Sequence, residues 1–464
     1  MTPRLITGAL AALLMASGPA LAQDPPALPA APLPVVEEPV EEPAEEDEAE
    51  PLDPWQGRKI TIQHFRPQDK RGINVFETSK DPGVEYKGFK LDWGAAFTSQ
   101  VQNLEHSNSA EPRIVNGVDA NELIRIGFGP NTSNANLYMH AQLAKGVRIQ
   151  LTSYLSSRHH NETWVKDGFI LIDDSPIELP PLKALMEYVT LKVGHFEINY
   201  GDQHFRRSDN GNAMHNPFVG NYIVDAFATE IGAEVYVQKN GLLLMGGLTG
   251  AEIRGTVTVP QNRGPALLGK VGFDRQLNPD LRVRLTGSMY HANKSNSNTL
   301  YSGDRGGSRY YFVLENTAAT ESAQFTSGRF NPGFRNNVTA FQVNPFVKYR
   351  GLEFFGALER AEGRTSAETS KRSMNQYAGE VVYRFMPDEM MFVGARYNKV
   401  DARLAGMAND VTIDRVQVGA GWFVLPTLLV KAEYVKQTYK DFPVTDIRNG
   451  GKFNGLMLEG VVAF

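Results

Sequence analysis

The carboxy-terminal stretch Asn454 to Phe464, NGLMLEGVVAF, decides how the rest of the chain is read. Leu456, Leu458, Gly460, Val462 and Phe464 fall on one side of an extended strand, and only Asn454 and Glu459 interrupt an otherwise apolar run. Successive side chains of a strand point to opposite faces. The segment therefore carries one wholly apolar face that ends on a bare aromatic ring.

The same period of two runs outward through the body. Phe89, Leu91, Trp93, Ala95 and Phe97 alternate with Lys90, Asp92 and Thr98. Val147, Ile149 and Leu151 alternate with Arg148, Gln150 and Thr152, and Leu281, Val283 and Leu285 with Arg282, Arg284 and Thr286. The first of these runs exceeds the five or six residues usual in soluble strands. Tight connections stand at Lys145-Gly146, Lys239 to Gly241, Leu277 to Asp280, Arg350-Gly351, Met386 to Glu389 and Leu425 to Thr427, built from residues that favour short turns. Long polar loops at 202–225, 291–308, 317–336, 361–373 and 441–451 lie between them. Apolar-out, polar-in strands with short turns at one end and long loops at the other predict an all-β, transmembrane antiparallel barrel of about 16 to 18 strands over residues 86–464. Leu456, Leu458, Val462 and Phe464 then resemble the assembly signal that the barrel-assembly machinery reads. No apolar run of about 18 residues follows residue 22, which excludes a spanning helix.

The amino terminus supplies an address. Arg4, the apolar Leu5–Met15 and the small-residue site Ala20-Leu21-Ala22 read as a signal peptide over residues 1–22, so the expected location is a Gram-negative outer membrane. Residues 23–53 are rich in Pro and Glu and read as a disordered acidic periplasmic tail. Setting aside Arg4 and the tail's 11 acidic residues, the totals of 47 basic and 52 acidic residues fall to 46 and 41. The body is thus mildly cationic, by about +5, and leans towards anions. Residues 54–85, with Arg58, Arg66, Lys70, Arg71 and Lys80, form a basic segment at the periplasmic mouth or inside the lumen. With no cysteine, the chain has no disulfide and no thiolate metal site.

Glu187 to Asn210, EYVTLKVGHFEINYGDQHFRRSDN, preceded by Trp164 to Asp173, WVKDGFILID, resembles the core of the phosphate-selective porins O and P. The sharp points are Val193-Gly194, Phe196 and Gly201, where a strand gives way to a long loop. The resemblance implies a 16-stranded homotrimeric porin with a loop folded into the pore and basic residues along an anion path. It makes His204, Arg206, Arg207, Asp209 and His215 the constriction-loop candidates. The family's arginine ladder and lysine cluster find no position-by-position match here. The expectation is therefore passive diffusion of small hydrophilic solutes, with a lean towards anions such as phosphate.

Strand alternation independently puts Arg148, Lys192, Arg282, Arg284, Arg396 and Arg415 on the lumen wall. They set selectivity as a charged ring, or they form cross-strand salt bridges that stiffen the wall. No catalytic motif, metal cluster, cofactor loop or nucleic-acid patch stands out. His159 and His160 are adjacent on a strand and point to opposite faces. Two other readings remain: a plugged barrel whose tail contacts periplasmic partners, and an outer-membrane hydrolase using His204, His215 and Asp209. The expected partners are outer-membrane lipid, the assembly machinery, small solutes or anions, and further copies of the chain.

Overall fold

Alternation on this scale builds long strands, and a computed structural model of the protein shows how they close. The structure describes residues 57–80, 83–159, 162–253 and 257–464; the signal peptide, the acidic tail and His160 lie outside them. The strands are β1 (Lys90–Ser107), β2 (Ile114–Val115), β3 (Val118–Asp119), β4 (Phe128–Ala144), β5 (Val147–Ser156) and β6 (Trp164–Ile172). After helix α1 (Pro180–Met186) come β7 (Val189–Glu197), β8 (Thr229–Lys239), β9 (Leu242–Thr249), β10 (Ala266–Asn278), β11 (Leu281–Ala292) and β12 (Asn337–Tyr349). The last six are β13 (Leu352–Arg364), β14 (Arg372–Phe385), β15 (Met391–Arg403), β16 (Asp410–Leu425), β17 (Leu428–Lys440) and β18 (Lys452–Ala463).

All but β2 and β3, a small hairpin in a loop, form one closed antiparallel barrel of 16 strands. Each strand pairs with its neighbour in sequence, and β1 closes on β18 with Ala96 opposite Ala463 and Ser107 opposite Lys452. Ala95 N–H donates to the Phe464 carbonyl at 3.1 Å, and Phe464 N–H returns a bond to Ala95 at 3.0 Å. Closure leaves no unpaired edge, which is the condition for a sheet to sit in lipid.

The alternation sorts the two faces. Trp93, Leu244, Leu358, Val418 and Leu458 lie on the outer face and are 48% to 58% exposed, whereas Gln342, Gln376, Arg396, Gln437 and Glu459 on the inner face are at most 1% exposed. Soluble proteins rarely leave apolar patches beyond a few hundred Å² open to water. A continuous apolar girdle on a closed barrel faces lipid instead. No helix among the described residues is long and apolar enough to cross a membrane.

The connections depart from expectation in three places. The link from β6 to β7, Asp173 to Tyr188, lies at the tight-turn end but is long and contains α1, which starts on Pro180-Pro181, residues suited to a first helical turn. The expected loops 291–308 and 317–336 are one connection, 293–336, with no barrel strand inside it. The expected loop 361–373 shrinks to 365–371. Pairing of β13 with β14 continues to Gly363 opposite Arg372, and the turn is capped where Thr365 N–H donates to the Glu368 carboxylate at 2.9 Å.

Candidate functional site in the lumen

An inner face this polar needs partners, and loops supply them. The β7–β8 connection, residues 198–228, turns inward at Gly201, whose φ of +71° suits glycine and whose missing side chain leaves room for Gln342. Wall side chains then satisfy the loop's main chain. Glu433 accepts from Val219 N–H at 2.8 Å and Gly220 N–H at 3.2 Å, and Asn398 accepts from Ile223 N–H at 2.7 Å. Gln376 both accepts from Val224 N–H, at 3.0 Å, and donates to its carbonyl, at 2.8 Å. The Lys431 ammonium donates to the carbonyls of Ala213, Asn216 and Phe218 at 2.9–3.1 Å and pairs with Glu459 at 2.6 Å. Buried backbone groups cost free energy unless paired. The wall is therefore a socket shaped to this loop.

The constriction-loop candidates enter that socket. Arg206 pairs with Glu380 at 2.7 Å and Glu353 at 3.4 Å. Arg207 pairs with Asp225 at 2.7 Å and with Asp304 of the 293–336 loop at 3.1 Å. Burial pushes the Asp304 carboxyl up, but Arg207 and Arg329 outweigh it and hold it at about 2. Asp209 takes Lys166 at 2.7 Å and the Tyr154 hydroxyl. His204 bonds Glu197 at 2.6 Å and Asn199 at 3.1 Å, and burial lowers its pKa despite Glu197. His215 is also buried, its pKa lowered well below the ordinary value by burial and then by Arg66. Lys166 also pairs with Glu197 at 2.7 Å, so a chain of polar contacts joins His204 to Asp209, whereas His215 lies beside Arg66. Among the described residues no group of three or more potential ligands is placed to hold a metal.

The wall candidates are paired too. Lys192 lies opposite Glu234 at 3.4 Å, Arg396 opposite Glu380 at 2.7 Å, and Arg282 bonds Asp274 at 2.6 Å. Arg284 bonds Asp202 at 2.8 Å and Glu77 at 2.7 Å, and Arg148 bonds Asp173 at 2.8 Å. Arg415 instead donates to Gln437, opposite it on β17, and to the Gly328 carbonyl at 2.7 Å. Most lumen cations thus have a carboxylate in contact.

A third body of chain shares the lumen. Residues 57–80 approach from the tight-turn end, where Gln63 N–H donates to Gln142 at 2.9 Å and Asn74 donates to Glu353 at 2.6 Å. Sequence reading allowed this segment inside the barrel. It did not identify Glu433, Lys431, Gln376 and Asn398 as the loop's anchors. Their inward polarity was visible; their partners, hundreds of residues away in the chain, were not.

No family model matches the chain, and no curated protein matches it. Solved structures do. The trimer form of OmpT, an outer membrane protein of Vibrio cholerae, aligns over 82% of this chain and all of its own, at 10% identity and a TM-score of 0.48. The anion-selective porin from Comamonas acidovorans aligns over 81% of this chain and all of its own, at 12% identity and 0.49. Pseudomonas putida OprB aligns over 81% of this chain and 94% of its own, at 11% identity and 0.49. The chain is similar to these barrels. Its resemblance to the phosphate-selective porins rests on the short motif in β7 and the loop that follows.

Proposed function

We propose that the protein is an outer-membrane porin for passive diffusion of small hydrophilic solutes. One observation carries the reading: a closed 16-strand barrel has an apolar outer face, a charged and polar inner face, and a long loop turned into its lumen. A barrel of about 16 strands is wide enough to hold an aqueous channel. The pairing of most lumen cations with carboxylates supports a general pore over a phosphate-selective one. Membership of a homotrimer belongs to the same reading, as does recognition of Leu456, Leu458, Val462 and Phe464 by the assembly machinery. Deleting Phe464 removes both seam bonds to Ala95 and is expected to cut the yield of heat-modifiable barrel in the outer membrane.

The burial of the lumen wall favours a second reading, a plugged barrel that does not conduct. Single-channel recording in planar bilayers separates the two. Stable ohmic steps support the porin, and silence from correctly folded protein supports the plug.

A further inference from the structure

The segment 57–80 is seated less deeply than the 198–228 loop: eight of its 24 residues are buried, against 27 of the loop's 31. Lys70 N–H donates to the Pro426 carbonyl at 2.9 Å. The segment adds no strand to the sheet, and the barrel closes through β1, which begins after it. Wall side chains reach its main chain, Arg148 donating to the His64 carbonyl at 2.9 Å and Arg282 to the Asn74 carbonyl at 3.0 Å, and its own side chains add to the hold. Glu77 bonds Lys270 at 2.9 Å and Arg284 at 2.7 Å, and Asn74 reaches Glu353 and Arg206. Phe76 is 2% exposed and packs edge-on against Phe205 at 5.4–5.7 Å between ring centres, together with Phe346.

Its position matters as much as its attachment. Two cavities open at the tight-turn end, one of about 420 Å³ lined by Lys70, Asn74, Lys348 and Arg384, the other of about 630 Å³ lined by Glu77, Lys80 and Arg284. Both include Arg282 in their walls. Asn74 lines the first and Glu77 the second, so the stretch that carries Phe76 borders both.

Building on the porin reading, we infer that residues 57–80 are a detachable gate: docked, they close the periplasmic half of the lumen, and conduction requires them to leave. An element that moves is drawn from the least stable end of a structure, where burial is shallow. This segment, outside the sheet and partly open to water, fits that description, and the 198–228 loop does not. The Phe76 wedge and the Glu77 pairs form the latch, because each joins the segment to wall or loop side chains and to no strand backbone.

The test compares currents through the full-length protein in planar bilayers with those through Phe76→Ala and through a deletion of residues 57–80. Heat-modifiable mobility confirms folding of each. Both release variants are expected to raise mean current about tenfold or more over the unaltered chain, as a shifted closed–open equilibrium requires. The chain has no cysteine, so Lys70→Cys with Asp388→Cys gives a unique pair at the exposed end, where Lys70 contacts the Asp388 carbonyl. Bridging that pair with a short bifunctional thiol reagent in the Phe76→Ala background is expected to return the current to the unaltered level. Equal, sizeable currents from the unaltered, released and bridged proteins would overturn the gate and leave the porin standing. Silence from all of them, folded, would overturn the porin reading and the gate with it.

Discussion

Two segments occupy the same lumen and are seated to different depths. The 198–228 loop is buried at 27 of its 31 residues, its main chain gripped by Glu433, Asn398, Gln376 and Lys431. Residues 57–80 are buried at eight of 24, although Arg148 and Arg282 also reach their main chain, at His64 and Asn74. Burial along nearly its whole length makes a loop part of the fold. A segment outside the sheet and partly open to water can be withdrawn whole. The difference lies in depth, since both segments are gripped by wall side chains and both carry charge.

The largest test of that contrast changes the loop's arginines. Arg206→Glu with Arg207→Glu brings negative charge against Glu353 and Glu380 on one side and Asp225 and Asp304 on the other. Breaking a buried pair in this way costs about 3–5 kcal/mol, so little heat-modifiable barrel is expected on gels of outer-membrane fractions. Normal yield would show that the loop is not integral to the fold. This variant reports on folding before selectivity, because its arginines are already neutralised.

Next in size is Lys431→Met. It strands Glu459 and three loop carbonyls, and the urea midpoint of the lipid-reconstituted barrel is expected to fall by the equivalent of about 3 kcal/mol. An unmoved midpoint would mean that the socket grips the loop less tightly than its hydrogen bonds imply.

Deleting residues 57–80 is expected to shift the same midpoint less than Lys431→Met, because the cations it leaves, Lys270 and Arg284, keep Asp202 at 2.7 and 2.8 Å and become open to water. A drop as large as that of Lys431→Met would erase the contrast between the two segments.

The smallest effect concerns pH. Burial alone would push the Glu77 carboxyl up, but Lys270 and Arg284 outweigh it and hold it well below the usual carboxylate range. A depressed pKa gives stability that is full above the ordinary carboxylate value and is lost as pH falls through the lowered one. Docking should therefore not change between about pH 8 and 5. Burial lowers the His64 pKa in the same segment, so the test is made in a His64→Gln background; thiol labelling of Val75→Cys there is expected to stay flat across that range, and a rise by pH 5 would mean that the Glu77 pairs are not what holds the segment.

The barrel was legible because its signals are local. Leu456, Leu458, Val462 and Phe464 mark one face within a few residues, and turns such as Lys145-Gly146 mark strand ends by residue type. The joined 293–336 loop was less so, since polar composition reads alike in one long loop or in two with a strand between. The candidate site was half legible. Inward polarity placed Lys192, Arg284 and Arg396 on the lumen face, but whether a cation faces solute or a carboxylate depends on contacts such as Arg284 with Glu77, some two hundred residues apart. Spacing in sequence carries no trace of such a contact.

The seam between β1 and β18 also sets an order of events. Residues at opposite ends of the barrel sequence must meet before Ala96 can lie opposite Ala463, and ring closure over so long a span is the slowest kind of contact to form. Residues 57–80 precede β1 and are tethered to one lip of the seam from the start. The cargo is thus available before the container is shut.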